Sequence, residues 1–252
     1  MQCQQLLVQW LSWSIILAGL VYFVCFLKSH AAYGRYMGTS SDSRMVPARV
    51  AWFIQELPAL LLPVLLLLTT SNSHQMGKWL LLSTFCLHYF QRTCIYSLLT
   101  RGRPYPFNIM VSGMVFCSVN GFLQAHYLLH CNPHSHVHLS DGRTLIGMLI
   151  FFTGMAINIH SDHILRNLRK PGEIAYKIPR GGMFEYVSGA NYFGEIIEWL
   201  GYAIATWSVP TFAFAFFTVC FIGPRAYHHH RFYTEKFEDF PRSQKCLIPF
   251  IF

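Results

Sequence analysis

The long apolar runs of this sequence constrain its fold more than any other feature. Leu6–Leu27 and Val50–Thr69 each hold about the 20 mostly apolar residues that a helix needs to cross a bilayer. Only 12% of the residues are charged, about half the share of a soluble domain. Intrinsic disorder is excluded as well, because it requires low hydrophobicity and high charge. The sequence therefore predicts an all-α integral membrane protein.

Seven stretches of the chain are candidates for transmembrane helices. In order they are Leu6–Leu27, Val50–Thr69, Trp79–Leu99, Phe107–Leu129, Thr144–His160, Ala190–Trp207 and Val209–Ile222. The last two are nearly continuous, and Pro210 is the expected break between them, because proline lacks the N–H that a helix interior requires. Counts of six or eight spans are the alternatives.

The basic residues predict the orientation of these spans. With seven spans and a lumenal N-terminus, all but two of the 19 Lys and Arg residues fall on the cytosolic side, as the positive-inside rule requires. The exceptions are Lys78 and Arg143. We expect a cytosolic C-terminus, no cleavable signal peptide and a single domain over residues 1–252. The same topology places Cys3 and Cys131 on the oxidising lumenal side, so we predict that they pair.

Glu56 is the sharpest polar feature, because it lies within the apolar run AWFIQELPALLLPVLLLL. Ionisable residues at membrane depth are costly and usually functional, and burial favours a neutral, protonated carboxyl. We interpret Glu56 as a buried hydrogen-bonding group with Gln55 beside it. The alternative is a carboxylate at the cytosolic end of the span that reaches the headgroups, since Arg49 is nearby.

Three other spans carry polar side chains on one helical face, because residues three, four or seven positions apart lie on the same side of a helix. These stripes are Tyr89, Arg92 and Tyr96; Asn158, Asp162, Arg166 and Arg169; and Asn191, Glu195, Glu198 and Tyr202. The arginines of the second stripe lie towards the basic cytosolic surface and suit phosphate oxygens. Structural networks between helices and binding of lipid headgroups are the alternatives.

Motifs for soluble nucleotide-binding folds are absent from the sequence. It has neither a GxGxxG after a strand nor a GxxxxGK[ST] loop, so a nucleotide would have to bind between helices. His228–His230 and the loop histidines 130, 134, 136 and 138 are weak metal candidates, and we predict no metal site. The basic loops follow topology, so we expect no nucleic-acid partner. From the residues alone, the chain is a membrane enzyme or transporter with an anionic cytosolic ligand.

Long segments of the chain resemble the steroid 5α-reductase family, and its type 2 branch most closely. They are VPARVAWFIQELP at Val46–Pro58, RGRPYP at Arg101–Pro106, NIHSDHILRNLRKPGE at Asn158–Glu173, YKIPRGGMFEYVSGANYFGEIIEWLGYA at Tyr176–Ala203 and HHHRFYTEKFEDFPRSQKCLIPFIF at His228–Phe252. The resemblance implies a seven-span enzyme of the endoplasmic reticulum membrane. It implies reduction of the 4,5 double bond of 3-oxo-Δ4 steroids with NADPH, and a cofactor-binding half over residues 101–252.

The resemblance also implies a role for individual residues. Glu56 and Tyr89 would be catalytic and would hydrogen-bond the steroid 3-carbonyl, supported by Gln55. The residues expected to bind NADPH are Arg92, Tyr96, Arg103, Asn158, Asp162, Arg169, Tyr176, Asn191, Glu195, Arg225, His229 and Tyr233. Steroid would enter from the lipid and NADPH from the cytosol, with no obligate protein partner. Ser112 departs from the type 2 pattern, which has a basic residue there.

Two other functions fit the same residues less well. The first is a related membrane reductase that acts on another enone or enoyl lipid, such as a polyprenol or an enoyl thioester. The second is a transporter with a polar core, which is disfavoured because the sequence has no internal repeat of the kind that marks many transporters.

Overall fold

The computed structural model describes residues 2–29, 36, 44–70, 76–132, 141–168, 173 and 175–252. Nearly all of its regular structure is helical. The helices are α1 (Gln5–Leu27), α2 (Ala48–Thr69), α3 (Met76–Phe90), α4 (Ser97–Leu99), α5 (Phe107–His126), α6 (Gly142–Asn167), α7 (Ala190–Thr206) and α8 (Val209–Lys236). Two π-helical segments, Gln91–Tyr96 and Tyr127–Cys131, extend α3 and α5. A 3₁₀ turn spans Gly182–Glu185, and strands β1 (Met45–Val46) and β2 (Tyr105–Pro106) pair antiparallel.

The described helices confirm the all-α membrane class that the sequence predicts. Five of them are long and apolar enough to cross a membrane, by length and composition: α1, α2, α5 with its π segment, α6 and α8. The predicted break at Pro210 is also present. Trp207 takes a left-handed conformation (φ 47°) after α7, and Pro210 lies in the first turn of α8, where no intrahelical N–H bond is needed.

Two helices extend well beyond their predicted ends. The fifth predicted span ends at His160, but α6 continues to Asn167. The seventh ends at Ile222, but α8 continues to Lys236 and contains Pro224. Hydropathy falls where the side chains become polar, whereas a helix continues as long as its backbone hydrogen bonds do. Those additional turns carry several of the predicted site residues.

The described residues form two compact units. The first comprises those within 1–14, 31–145 and 208–211, and the second those within 15–30, 146–207 and 212–252.

Close packing of α2 against α5 is the centre of the first unit. A Cβ on Gly121 would lie 2.8 Å from the Ala59 Cα, and one on Gly113 would lie 2.5 Å from the Gln55 Oε1. Small residues at such contacts let membrane helices approach each other closely. This approach brings the polar part of α2 against the middle of α5.

Each end of the first unit is held by its own cross-link between chain segments. At one end β1 pairs with β2, and the Phe107 N–H donates to the Arg44 carbonyl oxygen over 2.8 Å. At the other end Cys3 and Cys131 form a disulfide bond, which is the pairing that the sequence predicts. Lys78 Nζ donates to the Asn132 carbonyl oxygen there, over 3.5 Å.

In the second unit, glycines at seven-residue spacing join α6 to α7. Gly147 and Gly154 of α6 face Gly201 and Gly194 of α7, and a Cβ on Gly154 would lie 2.6 Å from the Gly194 carbonyl oxygen. The two helices run antiparallel, so this contact sets the relative height of their polar side chains.

The second half of α1 runs parallel to α8 in the same unit. The Arg225 Nε donates to the Tyr22 hydroxyl over 3.2 Å, and the His228 Nε2 lies 3.0 Å from the Phe26 carbonyl oxygen. Beyond α8, the tail returns to the start of α7, where Val187 forms a parallel bridge with Lys245.

Candidate functional site

Glu56 is buried in the first unit, on the face of α2 that packs against α5. Only 8% of the surface of Glu56 is exposed. The Gln55 Nε2 donates to its Oε1 over 3.2 Å, and the Cys117 Sγ donates to its Oε2 over 3.6 Å. Both carboxyl oxygens therefore have neutral donors from the protein. The expectation of a buried carboxyl with Gln55 beside it agrees with this geometry.

Tyr89 is buried near the end of α3, with 3% of its surface exposed. The rings of Phe85 and His88 pack on it at centroid distances of 4.8 and 5.1 Å. Its hydroxyl oxygen accepts a hydrogen bond from the Asn120 Nδ2 over 3.4 Å. The phenol is thus held by ring packing on one helix and by an amide on another.

Helix α5 brings Glu56 and Tyr89 to the same face. Glu56 contacts Cys117 and Tyr89 contacts Asn120, and residues three positions apart lie on one side of a helix. A carboxyl and a phenol therefore meet α5 within one helical turn. In an environment without water, such donors stabilise negative charge that develops on a carbonyl oxygen.

The π-helical segment after α3 carries two more predicted residues. The Arg92 guanidinium lies 4.1 Å from the Tyr96 ring centroid and 5.0 Å from that of Trp52. Arg92 is buried, whereas Arg103 is exposed on the loop before β2. Segments of π-helix inside α-helices are frequent at functional sites. In the first unit, the structure brings Arg92 and Tyr96 together.

In the second unit, the polar stripe of α6 packs against the start of α7. Asn158 and Asp162 are 2% and 7% exposed, and the Asn158 Nδ2 donates to the Asn191 carbonyl oxygen over 2.9 Å. Glu195 lies one turn further along α7 and is half-buried. Ser161 is 1% exposed, and its hydroxyl has no hydrogen-bond partner among the described residues.

Three other predicted residues share one face of α8, at four-residue spacing. Arg225 has the Phe221 ring 3.9 Å from its guanidinium carbon and bonds the Tyr22 hydroxyl. The His229 ring packs on that of Tyr192, with centroids 5.6 Å apart, and the Tyr233 ring stacks on that of Phe240, with centroids 5.9 Å apart. Only the extension of α8 past its predicted end makes this face continuous.

Tyr176 precedes the 3₁₀ turn, and its ring packs edge-on against that of Phe232 in α8, with the ring centroids 5.3 Å apart. The predicted residue Arg169 lies outside the described residues, as do the loop histidines 134, 136 and 138.

The three adjacent histidines of α8 point to different partners. His228 reaches the Phe26 carbonyl oxygen, and His230 Nδ1 lies 3.0 Å from the Ser188 Oγ. His229 packs on Tyr192. Within the described part of the chain, no group of three or more His, Cys, Asp or Glu side chains is positioned to hold a metal ion.

Sequence reasoning missed several residues that contact the predicted ones. Cys117 and Asn120 bond Glu56 and Tyr89, and Gln124 bonds Asn120 over 3.0 Å. A signal for them exists, because the three occur at i, i+3 and i+7 in the fourth span and so share a face. Tyr22, which bonds Arg225, has no comparable signal in its apolar run.

Comparison with known proteins identifies the family. The model of a family described as 3-oxo-5-alpha-steroid 4-dehydrogenase matches residues 103–252. The chain is 52% identical to 3-oxo-5-alpha-steroid 4-dehydrogenase 2 of Macaca fascicularis, over 100% of this chain and 99% of that protein. It is 51% identical to the human type 2 protein over the same shares. It is 48% identical to the human type 1 protein, over 94% of this chain and 96% of that one. The chain therefore belongs to the 3-oxo-5-alpha-steroid 4-dehydrogenase family.

Proposed function

We propose that this protein is a membrane reductase that saturates the 4,5 double bond of 3-oxo-Δ4 steroids with NADPH. The observation that carries the proposal is that a buried carboxyl, Glu56, and a buried phenol, Tyr89, both contact the same turn of α5, at Cys117 and Asn120. The names of the relatives, which share about half of the sequence, support the steroid substrate.

The reaction needs hydrogen-bond donors at the 3-carbonyl of the steroid. Hydride addition at C5 moves an electron pair onto the 3-oxygen, which becomes an enolate. Glu56 in its protonated form and Tyr89 would each donate to that oxygen, where the charge develops. Gln55 would hold the Glu56 carboxyl in place. A proton then reaches C4 from water or through Tyr89, which completes the saturated ketone.

The residues of the second unit fit a large polar cofactor. The Asn158 amide contacts the Asn191 backbone where α6 packs on α7, and Asp162 is buried one turn further along α6. The buried Ser161 hydroxyl beside Asp162 in the sequence has no hydrogen-bond partner among the described residues. We propose that these side chains bind NADPH, with Glu195, Tyr176, Arg225, His229 and Tyr233 as further contacts. NADPH supplies the hydride when bound, and the protein supplies position and electrostatics. Contacts of Arg92, Tyr96, Arg103 and Arg169 with NADPH stay predictions.

We also propose seven spans in the endoplasmic reticulum membrane, with a lumenal N-terminus and a cytosolic C-terminus. The parallel course of α1 and α8 supports an odd number of crossings. The Cys3–Cys131 disulfide supports an oxidising environment at that end of the first unit. The apolar steroid would enter from the lipid, and NADPH would enter from the cytosol.

The test is a turnover assay on detergent-purified protein with excess testosterone. NADPH absorbance gives the rate, mass spectrometry identifies the steroid, and NADH is run in parallel. We expect the 5α-dihydro steroid, with NADPH preferred. Tyr89→Phe is the matched variant, because it removes a single hydroxyl, and we expect it to lower kcat by about 10²–10³.

The other outcomes of this assay separate the competing functions. Protein that binds NADPH but leaves testosterone unchanged would refute the steroid substrate. Polyprenol and enoyl thioester substrates would then be tried, because each is a lipid with a carbon–carbon double bond that a reductase could saturate. Absence of binding of both NADPH and NADH would refute a nicotinamide-dependent reductase.

A further inference from the structure

A chain of three hydrogen bonds runs through the interior of the first unit and ends on Tyr89. The Gln124 Nε2 donates to the Pro210 carbonyl oxygen over 3.0 Å and to the Asn120 Oδ1 over 3.0 Å. The Asn120 Nδ2 in turn donates to the Tyr89 hydroxyl oxygen over 3.4 Å. The chain therefore links a backbone group at the start of α8 to a phenol on α3.

The backbone carbonyl fixes the direction of every bond in this chain. A carbonyl oxygen only accepts hydrogen bonds, so the Gln124 amide must turn its nitrogen towards Pro210. The same nitrogen faces Asn120, which must then present its oxygen. The Asn120 Nδ2 therefore points towards Tyr89, and the phenol oxygen accepts a hydrogen bond from it. Reversal of any one amide would bring two oxygens or two N–H groups together.

Burial prevents water from reversing the direction of these hydrogen bonds. Asn120 and Gln124 are both 0% exposed, so bulk water does not reach them to exchange partners. The Gln124 Oε1 is buried and has no hydrogen-bond partner among the described residues. The amide keeps this orientation although one of its own atoms goes unsatisfied, which indicates that its two N–H bonds decide how it is turned.

We infer that Asn120 and Gln124 are positioning residues that make Tyr89 a hydrogen-bond donor to the substrate. Because the phenol oxygen accepts from Asn120, its proton cannot be donated to that amide. A bond accepted at the oxygen also polarises the O–H and strengthens its donation. The inference rests on the proposed function, in which Tyr89 donates to the 3-carbonyl of the steroid.

A double-mutant cycle between Asn120→Leu and Tyr89→Phe tests the inference. Leucine has nearly the shape of asparagine but no polar group. We expect Asn120→Leu to lower kcat/KM for the steroid by up to about 10-fold in the native background, as the loss of one neutral hydrogen bond predicts. In the Tyr89→Phe background, the same substitution should have almost no effect, because Asn120 acts through the phenol.

Gln124→Met provides a second, independent variant. It removes the amide that orients Asn120, so its effect should disappear when Asn120→Leu is already present. Ser118→Ala is the matched control on the same helix, since the Ser118 hydroxyl donates to the Met114 carbonyl oxygen of its own helix. We expect native activity for this control. An intact Cys3–Cys131 disulfide and a monodisperse elution profile identify the folded variants.

The carbonyl stretch of bound testosterone gives a readout that does not depend on turnover. Infrared difference spectra with testosterone labelled with ¹³C at C3 report the hydrogen bonds that the carbonyl accepts. We expect the band to move to higher wavenumber in Tyr89→Phe, and to move in the same direction in Asn120→Leu and Gln124→Met. The Ser118→Ala spectrum should match the native one.

The outcomes separate this inference from the proposed function. If the native protein binds the steroid without reducing it, the proposed function fails, and the carbonyl band alone decides the direction of the Tyr89 bond. If Asn120→Leu costs the same activity in both backgrounds, the amides are structural only. An unchanged carbonyl band in folded Asn120→Leu and Gln124→Met protein would overturn the inference whatever the turnover.

Discussion

Substitution of Gly154 by alanine tests whether the close contact between α6 and α7 determines the positions of the side chains in the proposed cofactor site. A Cβ at this position would lie 2.6 Å from the Gly194 carbonyl oxygen and 2.7 Å from the Glu198 Cα. Optimal contact between carbon atoms is about 3.5–4.0 Å. The obstacles are backbone atoms, so no side chain can rotate away and the helices must separate by about 1 Å.

Separation by that distance breaks the hydrogen bond between the two helices. The Asn158 Nδ2 is 2.9 Å from the Asn191 carbonyl oxygen, and about 1 Å more exceeds hydrogen-bonding range. Overpacking costs about 1–3 kcal/mol, and alanine returns up to about 1 kcal/mol of helix propensity. With the full gain subtracted, the net loss of about 0–2 kcal/mol lowers Tm by up to roughly 8 °C. Misplacement of binding groups by about 1 Å can lower kcat/KM for NADPH about 10²-fold.

The assay compares Gly154→Ala with Gly223→Ala, which is also in a long helix of the second unit. Beyond its own stretch of helix, a Cβ on Gly223 would meet no atom of the described residues within 4 Å, so this control gains helix propensity without a clash. Tm in detergent, NADPH affinity and steroid KM are measured for both variants. We expect Gly154→Ala to lose stability and NADPH affinity, with a smaller change in steroid KM, and Gly223→Ala to match or exceed the native Tm.

Equal Tm and equal NADPH affinity in the two variants would refute the reasoning, because the clash would then be absorbed without moving the helices. A lower Tm with native NADPH affinity would retain the packing argument but remove the Asn158 face from the cofactor site. Gly194→Ala gives a reciprocal check, since a Cβ there would lie 2.5 Å from the Asn158 backbone nitrogen.

Three other expectations concern the carboxyl donor, a buried thiol and the disulfide. Glu56→Gln should retain part of kcat because an amide can still donate, whereas Glu56→Ala should lose about 10²–10³ in kcat; equal rates in both would contradict a donor role. Burial raises the pKa of the Cys246 thiol to about 12, so at pH 8 the folded protein should alkylate there about 10³-fold more slowly than after denaturation. The same shift means that the unfolded thiol ionises first as pH rises above about 9, so the stability contributed by Cys246 is lost in alkaline solution. Reductant should lower the Tm of native protein but not of Cys3→Ser/Cys131→Ser; the sequence separation of 128 sets an upper limit of about 5 kcal/mol for a chain that unfolds completely.

The five described helices that are long and apolar enough to cross a membrane were predictable, because hydrocarbon leaves a chain few options. A segment in hydrocarbon must satisfy its own backbone hydrogen bonds, so an apolar run of sufficient length becomes a helix. The ends of α6 and α8 were not predictable by the same argument. Asn167 and Lys236 end their helices outside the apolar runs, where polar side chains are compatible with both helix and loop.

The candidate site was predictable where an ionisable group lies in an apolar run or where conspicuous polar side chains recur on one helical face. Glu56 and Arg92 stand out because ionisable groups in an apolar run need a reason to be there. Asn120 and Gln124 are neutral and small enough to occur in any membrane helix, so composition does not single them out. Their partner at Pro210 is a backbone oxygen, and a backbone group leaves no trace in residue identity.

The residue types in the chain to Tyr89 follow from the task that we assign to them. A serine hydroxyl rotates and can donate or accept, so it would not transmit a direction. A carboxyl would donate or accept according to its protonation, so the direction would change with pH. An amide has one end that only donates and one end that only accepts. Two amides in series, Gln124 and Asn120, anchored on a carbonyl that cannot reverse, therefore hold Tyr89 in one orientation at any pH at which the protein is folded.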